Sequence, residues 1–239
     1  QYGLALDFQW PVVPRLGGHY RDLQRSMNQS VDNAAYQLSE TQQRYFATFG
    51  FLLLEQLFAD DIQGIAAAFD SVMFDENNDG VNLDYSEGDR LMVPAILDRH
   101  EDLKWLKTDP RILGIAQSII GRDWVYAESS GDLLECETTW HRDVYASPLT
   151  QLHIKLLFYL DPLDAETGAL RVMPGTNYYQ DSYTHDLLRG QGFPDRMKDV
   201  FGVDAHKLPG VPVPTRPGDV IVLNFRTVHA SFAGKGPRR

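Results

Sequence analysis

The hexapeptide Thr138-Thr139-Trp140-His141-Arg142-Asp143 sets an imidazole and a carboxylate two residues apart. In an extended segment such residues point to the same side, so His141 and Asp143 can offer a ring nitrogen and a carboxylate oxygen to one cation. His-x-Asp alone arises by chance, and a histidine is often no more than a hydrogen-bonded side chain. A third ligand lies far downstream. The run Pro217-Gly218-Asp219-Val220-Ile221-Val222-Leu223-Asn224-Phe225 reads as a turn that delivers an apolar strand into a core. His229 follows that strand, where a barrel mouth would be. Two imidazoles and one carboxylate on one face of an octahedral ion leave three positions open, the arrangement of non-haem iron(II) oxygenases. Oxygen and a chelating co-substrate can then bind together.

Further polar groups alternate along Gln151-Leu152-His153-Ile154-Lys155-Leu156-Leu157-Phe158-Tyr159-Leu160. Gln151, His153 and Lys155 share one face, and Leu152, Ile154 and Leu156 the other. If the polar face lines a barrel interior, His153 and Lys155 bind a carboxylate of co-substrate or substrate; if it faces water, they are surface residues. His19, His100, His185 and His206 lack metal-like spacing and read as structural or exposed.

The elements that must position these groups fall into two halves. Residues 1–38 mix Pro, Gly and polar groups without periodicity and read as an arm over the domain. From Ser39 the chain turns helical: Ser39 caps a helix that Gly50 ends before the apolar strand Phe51-Leu52-Leu53-Leu54. Asp60 or Asp61 caps a second helix, with Ile62, Ile65, Ala66 and Phe69 at helical spacing, and a third runs over 110–120. Between them, Asp75-Glu76-Asn77-Asn78-Asp79-Gly80 looks like a calcium loop, but Ser86 stands where a bidentate Glu is required, so a solvated loop is expected. After Asp123 strand patterns dominate, at 124–127, 152–160, 169–173 and 220–225. The expectation is one domain over 1–239, mainly β with flanking helices. Residues 39–121 are its helical support, and residues 122–239 a double-stranded β-helix core (jelly roll, cupin-like) that lacks its last strand.

Composition narrows the partners. A chain of 239 residues with 43% hydrophobic side chains can bury a sizeable core in one domain. A net charge of -11 disfavours nucleic acid and anionic membrane surfaces, and no apolar run is long enough to span a bilayer. Cys136 is the sole cysteine, which excludes an intrachain disulfide and a cysteine-rich zinc site and fits a cytoplasmic setting. A small-molecule substrate is expected, and nothing specifies the oligomeric state.

Between the two ends of the ligand set lies Gly168-Ala169-Leu170-Arg171-Val172-Met173-Pro174-Gly175-Thr176-Asn177, a strand broken at Pro-Gly. With His-x-Asp before it and the Pro-Gly-Asp strand and His229 after it, the order resembles the phytanoyl-CoA dioxygenase family of 2-oxoglutarate-dependent oxygenases, from about residue 39 onward. The resemblance implies iron(II) on His141, Asp143 and His229, with 2-oxoglutarate and O2 as co-substrates. It also implies an arginine about ten residues past the second histidine, pairing with the distal carboxylate of 2-oxoglutarate. Here that is Arg238 or Arg239, with Arg238 preferred, and Ser231 adds a hydroxyl. Halogenating relatives carry a small residue where Asp143 stands, so its carboxylate points to hydroxylation, or to desaturation or ring formation, with succinate and CO2 released. Two other classes use similar parts: a zinc hydrolase on the same ligands, and a non-catalytic small-molecule-binding jelly roll.

Overall fold

The computed structural model describes residues 2–9, 36–75, 77, 80–85, 88–134, 137–143, 151–178 and 210–234. Strand β1 (Tyr2–Gln9) comes first, then helix α1 (Glu40–Phe49) and strand β2 (Phe51–Leu54). Helix α2 (Ile62–Met73) and a hairpin of β3 (Val81–Tyr85) and β4 (Gly88–Pro94) follow. Next are the short helices α3 (Ile96–Arg99) and α4 (Glu101–Lys104), a 3-10 turn (Trp105–Thr108) and helix α5 (Pro110–Ile120). The C-terminal half is β5 (Val125–Leu134), β6 (Thr138–His141), β7 (His153–Tyr159), β8 (Leu170–Val172), β9 (Val211–Val213), β10 (Val220–Asn224) and β11 (His229–Ser231).

Local chemistry accounts for the helix ends. Ser39 and Gln42 form a reciprocal capping box: each side chain accepts the other's backbone N–H, at 3.2 and 2.8 Å, an arrangement worth about 1 kcal/mol. Gly50 closes α1 in the left-handed region at φ 80°. The carboxylate of Asp109 caps α5, whose first residue is Pro110. Capping by Asp60 or Asp61 fails: Asp61 precedes α2 but makes no cap bond, because its carboxylate is drawn 2.9 Å from Arg111 Nη1.

Two antiparallel sheets face each other, the large one in the order β2-β10-β7-β1-β5-β4-β3 and the small one β6-β11-β8-β9. This is the expected jelly roll. Period-two alternation divides the core. On the large sheet Leu52, Leu54, Ile154, Leu156, Phe158, Val220 and Val222 turn outward onto the helices, meeting Phe58, Ile65, Phe69 and Ile112. Phe51, Tyr159, Ile221 and Leu223 turn inward to meet Leu170, Val172 and Val213 of the small sheet. Lys155 shares the inward face of β7 with Leu157 and Tyr159, so of that strand's polar residues Lys155 lines the barrel.

The arm expected over 1–38 is corrected in part. Residues 2–9 are a strand paired on both edges, with β5 and β7, and Leu4 and Leu6 are fully buried. The alternation is too short to stand out beside the Pro- and Gly-rich residues after it. β1 thus lies inside the large sheet, between β5 and β7.

Candidate metal centre

β6 and β11 are neighbours in the small sheet, and their register sets His229 directly opposite His141. The same pairing sets Ser231 opposite Thr138, three residues against two, so β6 carries a bulge. The extra residue brings Thr138 and His141 to the same wall of the cavity, where strict alternation would separate them.

Asp143 lies two residues beyond the end of β6, and its backbone N–H donates to the Phe225 carbonyl at 3.1 Å. Its Oδ1 lies 3.9 Å from His141 Nε2 and its Oδ2 3.8 Å from His229 Nε2. One ligand atom from each residue falls within 4.8 Å of the others, close enough to serve one ion. The side chains of Asp143 and His229 are 2% and 7% exposed, against 35% for His141, so solvent reaches the cluster from the His141 side.

Both imidazoles are oriented from behind. His141 Nδ1 meets the Thr139 carbonyl at 2.7 Å, and His229 Nδ1 the Thr227 carbonyl at 2.9 Å. A carbonyl only accepts, so each Nδ1 carries a proton, and in the neutral ring this leaves the Nε2 lone pair for a metal. Burial, and then the His141 ring, push the His229 pKa down to about 4, which keeps it a neutral donor. Burial alone would raise the Asp143 carboxyl; Lys155, His229 and His141 outweigh it and hold the group well below the usual carboxylate range. Two imidazoles with Nδ1 committed and an ionised carboxylate fit a divalent first-row ion, and the geometry is the two-histidine, one-carboxylate face of iron(II).

The loop that carries His229 is tied to two others, which are tied to each other. Thr227 donates its hydroxyl to the Gly50 carbonyl at 2.9 Å, and Asn224 N–H donates to that same carbonyl. The hydroxyl of Thr176 accepts from Val228 N–H at 2.9 Å and donates to the Met173 carbonyl. Gly175 N–H donates to the Phe49 carbonyl. The Pro-Gly-Thr-Asn turn and the left-handed end of α1 thus clamp the residues on either side of Thr227. At Gly50 a Cβ would lie 2.1 Å from Thr227 Oγ1, so only glycine fits there.

A cavity opens from the metal centre between the sheets, and its polar lining includes Arg90, Asp132, Thr138, Lys155 and Ser231 beside Leu157 and Leu170. Lys155 Nζ is 3.0 Å from Asp143 Oδ2. Ser231 is buried, its hydroxyl 3.1 Å from that of Thr138. Arg90 Nε donates to Asp132 Oδ1 at 2.6 Å. His153 is not on this wall: its ring packs 5.4 Å from that of Phe225, and burial followed by the charge of Arg226 lowers its pKa. Arg238, Arg239, Cys136, His19, His185 and His206 lie outside the described residues. His100 caps α4, its Nδ1 accepting from Asp102 N–H.

Sequence reasoning assigns no role to Arg90, Asp132, Thr138, Thr176 or Thr227. Thr176 stands in the Pro-Gly-Thr-Asn turn and Thr138 beside the His-x-Asp motif, the available signals for them; the others reach the site through pairing that no local pattern shows.

Comparison with known proteins bears on this arrangement. The family model described as phytanoyl-CoA dioxygenase matches residues 46–239. None of the curated proteins matches the chain in sequence. Solved structures share the fold at low identity. The non-haem α-ketoglutarate-dependent carbocyclase SnoK of nogalamycin biosynthesis is 24% identical, with a TM-score of 0.65 over 83% of this chain and 79% of its own. AviO1 of Streptomyces viridochromogenes is 24% identical, with a TM-score of 0.62 over 85% and 91%. HygX of Streptomyces hygroscopicus, with nickel and 2-oxoglutarate bound, is 17% identical, with a TM-score of 0.62 over 84% and 83%.

Proposed function

The chain belongs to the phytanoyl-CoA dioxygenase family, and from that premise we propose that it is an iron(II)- and 2-oxoglutarate-dependent dioxygenase that hydroxylates an unactivated carbon of a small molecule. The observation that carries this reading is the His141, Asp143 and His229 cluster, with Asp143 and His229 buried and both Nδ1 positions committed to carbonyls. Bound there, iron(II) with 2-oxoglutarate supplies the oxidant from O2, releasing succinate and CO2.

The protein's own contribution is placement. His141 and His229 present their Nε2 atoms, and Asp143 an ionised oxygen, from positions already fixed by the bonds behind them. The Thr138 and Ser231 hydroxyls on the cavity wall receive the distal carboxylate of the co-substrate, with the guanidinium of Arg238, or otherwise Arg239, completing the pair. Leu157 and Leu170 keep water from that wall. His153, off the cavity wall, has no part in co-substrate binding in this reading.

Family membership favours this account over a zinc hydrolase or a non-catalytic binding module. The fold hosts more than one outcome, since its neighbours include a carbocyclase and an epimerase, and the identity of the product decides between hydroxylation and ring formation. No helix among the described residues is long and apolar enough to cross a membrane.

The test is succinate release from 2-oxoglutarate across a panel of small molecules, with mass spectrometry of the products. A product heavier by one oxygen atom supports hydroxylation; a product lighter by two hydrogen atoms replaces it with desaturation or ring closure.

A further inference from the structure

Asp143 has two carboxylate oxygens within reach of the metal centre, at 3.9 Å from one imidazole nitrogen and 3.8 Å from the other. The number of them that a metal takes decides whether the site can work. With two histidines and one carboxylate oxygen, an octahedral ion keeps three positions, two for the chelating co-substrate and one for oxygen. A second carboxylate oxygen on the ion would fill the position oxygen needs.

The Asp143 backbone is fixed by the bond from its N–H to the Phe225 carbonyl, so the side-chain torsions set which oxygen turns to the metal. Lys155 bears on them. Its Nζ lies 3.0 Å from Oδ2, on a stem that leaves the inward face of β7 in the middle of the large sheet. The same ammonium lies 5.3 Å from the centroid of the Phe225 ring. Phe225 therefore fixes the carboxylate's backbone with its carbonyl and the cation with its ring. The Lys155 side chain is 19% exposed and that of Asp143 2%, so water competes weakly for this pair.

We propose that Lys155 is a positioning residue that withholds Oδ2 of Asp143 from the metal, limits the carboxylate to one coordinating oxygen and so keeps a position open for oxygen. The inference rests on the iron-site reading above. It takes Lys155 away from the carboxylate of the co-substrate, the other role open to a cation on this wall.

The experiment uses the full chain under argon, with iron(II), 2-oxoglutarate and nitric oxide as a stand-in for oxygen, in the wild type, Lys155→Met and Lys155→Arg. Lys155→Met is expected to bind iron(II) as tightly as the wild type or more tightly, because a like charge beside the ion is gone. Its affinity for 2-oxoglutarate stays within about threefold, while nitric oxide affinity of the ternary complex, read from the spin-3/2 iron–nitrosyl resonance, falls at least about tenfold. Lys155→Arg restores it. Unchanged nitric oxide affinity in Lys155→Met overturns the proposal. So does a fall of thirtyfold or more in 2-oxoglutarate affinity, which would make Lys155 the carboxylate anchor, or a loss of iron binding, which would make its role structural. If Lys155→Met does not fold, Lys155→Gln is read by the same outcomes. A wild type that binds no iron(II) with 2-oxoglutarate defeats the underlying reading and is recognised before any variant is compared.

Discussion

His229 faces His141 across the β6–β11 pair, with ring centroids 4.3 Å apart, and each ring is hydrogen-bonded to the carbonyl two residues before it. With each Nδ1 committed to a carbonyl, Nε2 is the nitrogen that both rings turn to Asp143. The consequence is that two Nε2 atoms and the carboxylate of Asp143 converge on one point, where a cation would satisfy all three.

Removing that carboxylate leaves two neutral ligands. Asp143→Ala is expected to weaken iron(II) or manganese(II) binding by at least about a hundredfold and to abolish substrate-coupled turnover, measured by metal titration and by succinate release. Near-normal activity in this variant would remove Asp143 from the ligand set.

The hold on His229 from behind is tested at Thr227. Thr227→Val loses the hydroxyl bond to the Gly50 carbonyl, so the carbonyl that orients His229 is less well fixed. Metal affinity should fall about tenfold, and Thr227→Ser should retain it. Equal metal affinity in the valine and serine variants would show that the hydroxyl does not position His229.

Stability should depend on pH through His229. Its pKa is about 4 in the folded chain against an ordinary value of 6.5, so between those pH values the unfolded chain takes up a proton that the folded chain refuses. Stability of the metal-free protein therefore rises with pH across that window and falls on acidification from 6.5 toward 4, by roughly 3 kcal/mol in all. The Asp143 carboxyl, held below its ordinary 3.8, loses its contribution only at lower pH still. Urea unfolding in chelator at several pH values checks this. His229→Asn should lose much of the acid slope, and an unchanged slope would contradict the assignment.

The co-substrate arginine separates by kinetics. Arg238→Met is expected to raise the KM for 2-oxoglutarate by ten- to a hundredfold with a smaller change in kcat, as loss of a bidentate carboxylate pair does. Arg239→Met should leave KM within about threefold. The reverse pattern moves the assignment by one residue.

The legibility of the site in the sequence follows the range of the interactions. His141, Asp143 and His229 are readable because a short extended motif and an apolar strand each point at a ligand, and α1 and α5 because their caps are local. Lys155 is half legible: alternation puts it on the polar face of β7, and only the second sheet decides that this face looks inward. Thr138 is hidden by the bulge in β6, which breaks the alternation from which its direction would be read. Arg90 sits in a hairpin inside residues 39–121, which read as helical support, and β1 reaches its place between β5 and β7 by a pairing across more than a hundred residues of sequence. Non-local pairing of this kind leaves no trace in a window of neighbours.

The central claim is that His141, Asp143 and His229 hold an iron(II) ion to which 2-oxoglutarate chelates. Anaerobic titration of the metal-free protein with both components tests it most directly. A weak visible charge-transfer band that appears only when iron(II) and 2-oxoglutarate are present together is the expected result. No band with either order of addition, and no succinate once oxygen is admitted, would contradict it.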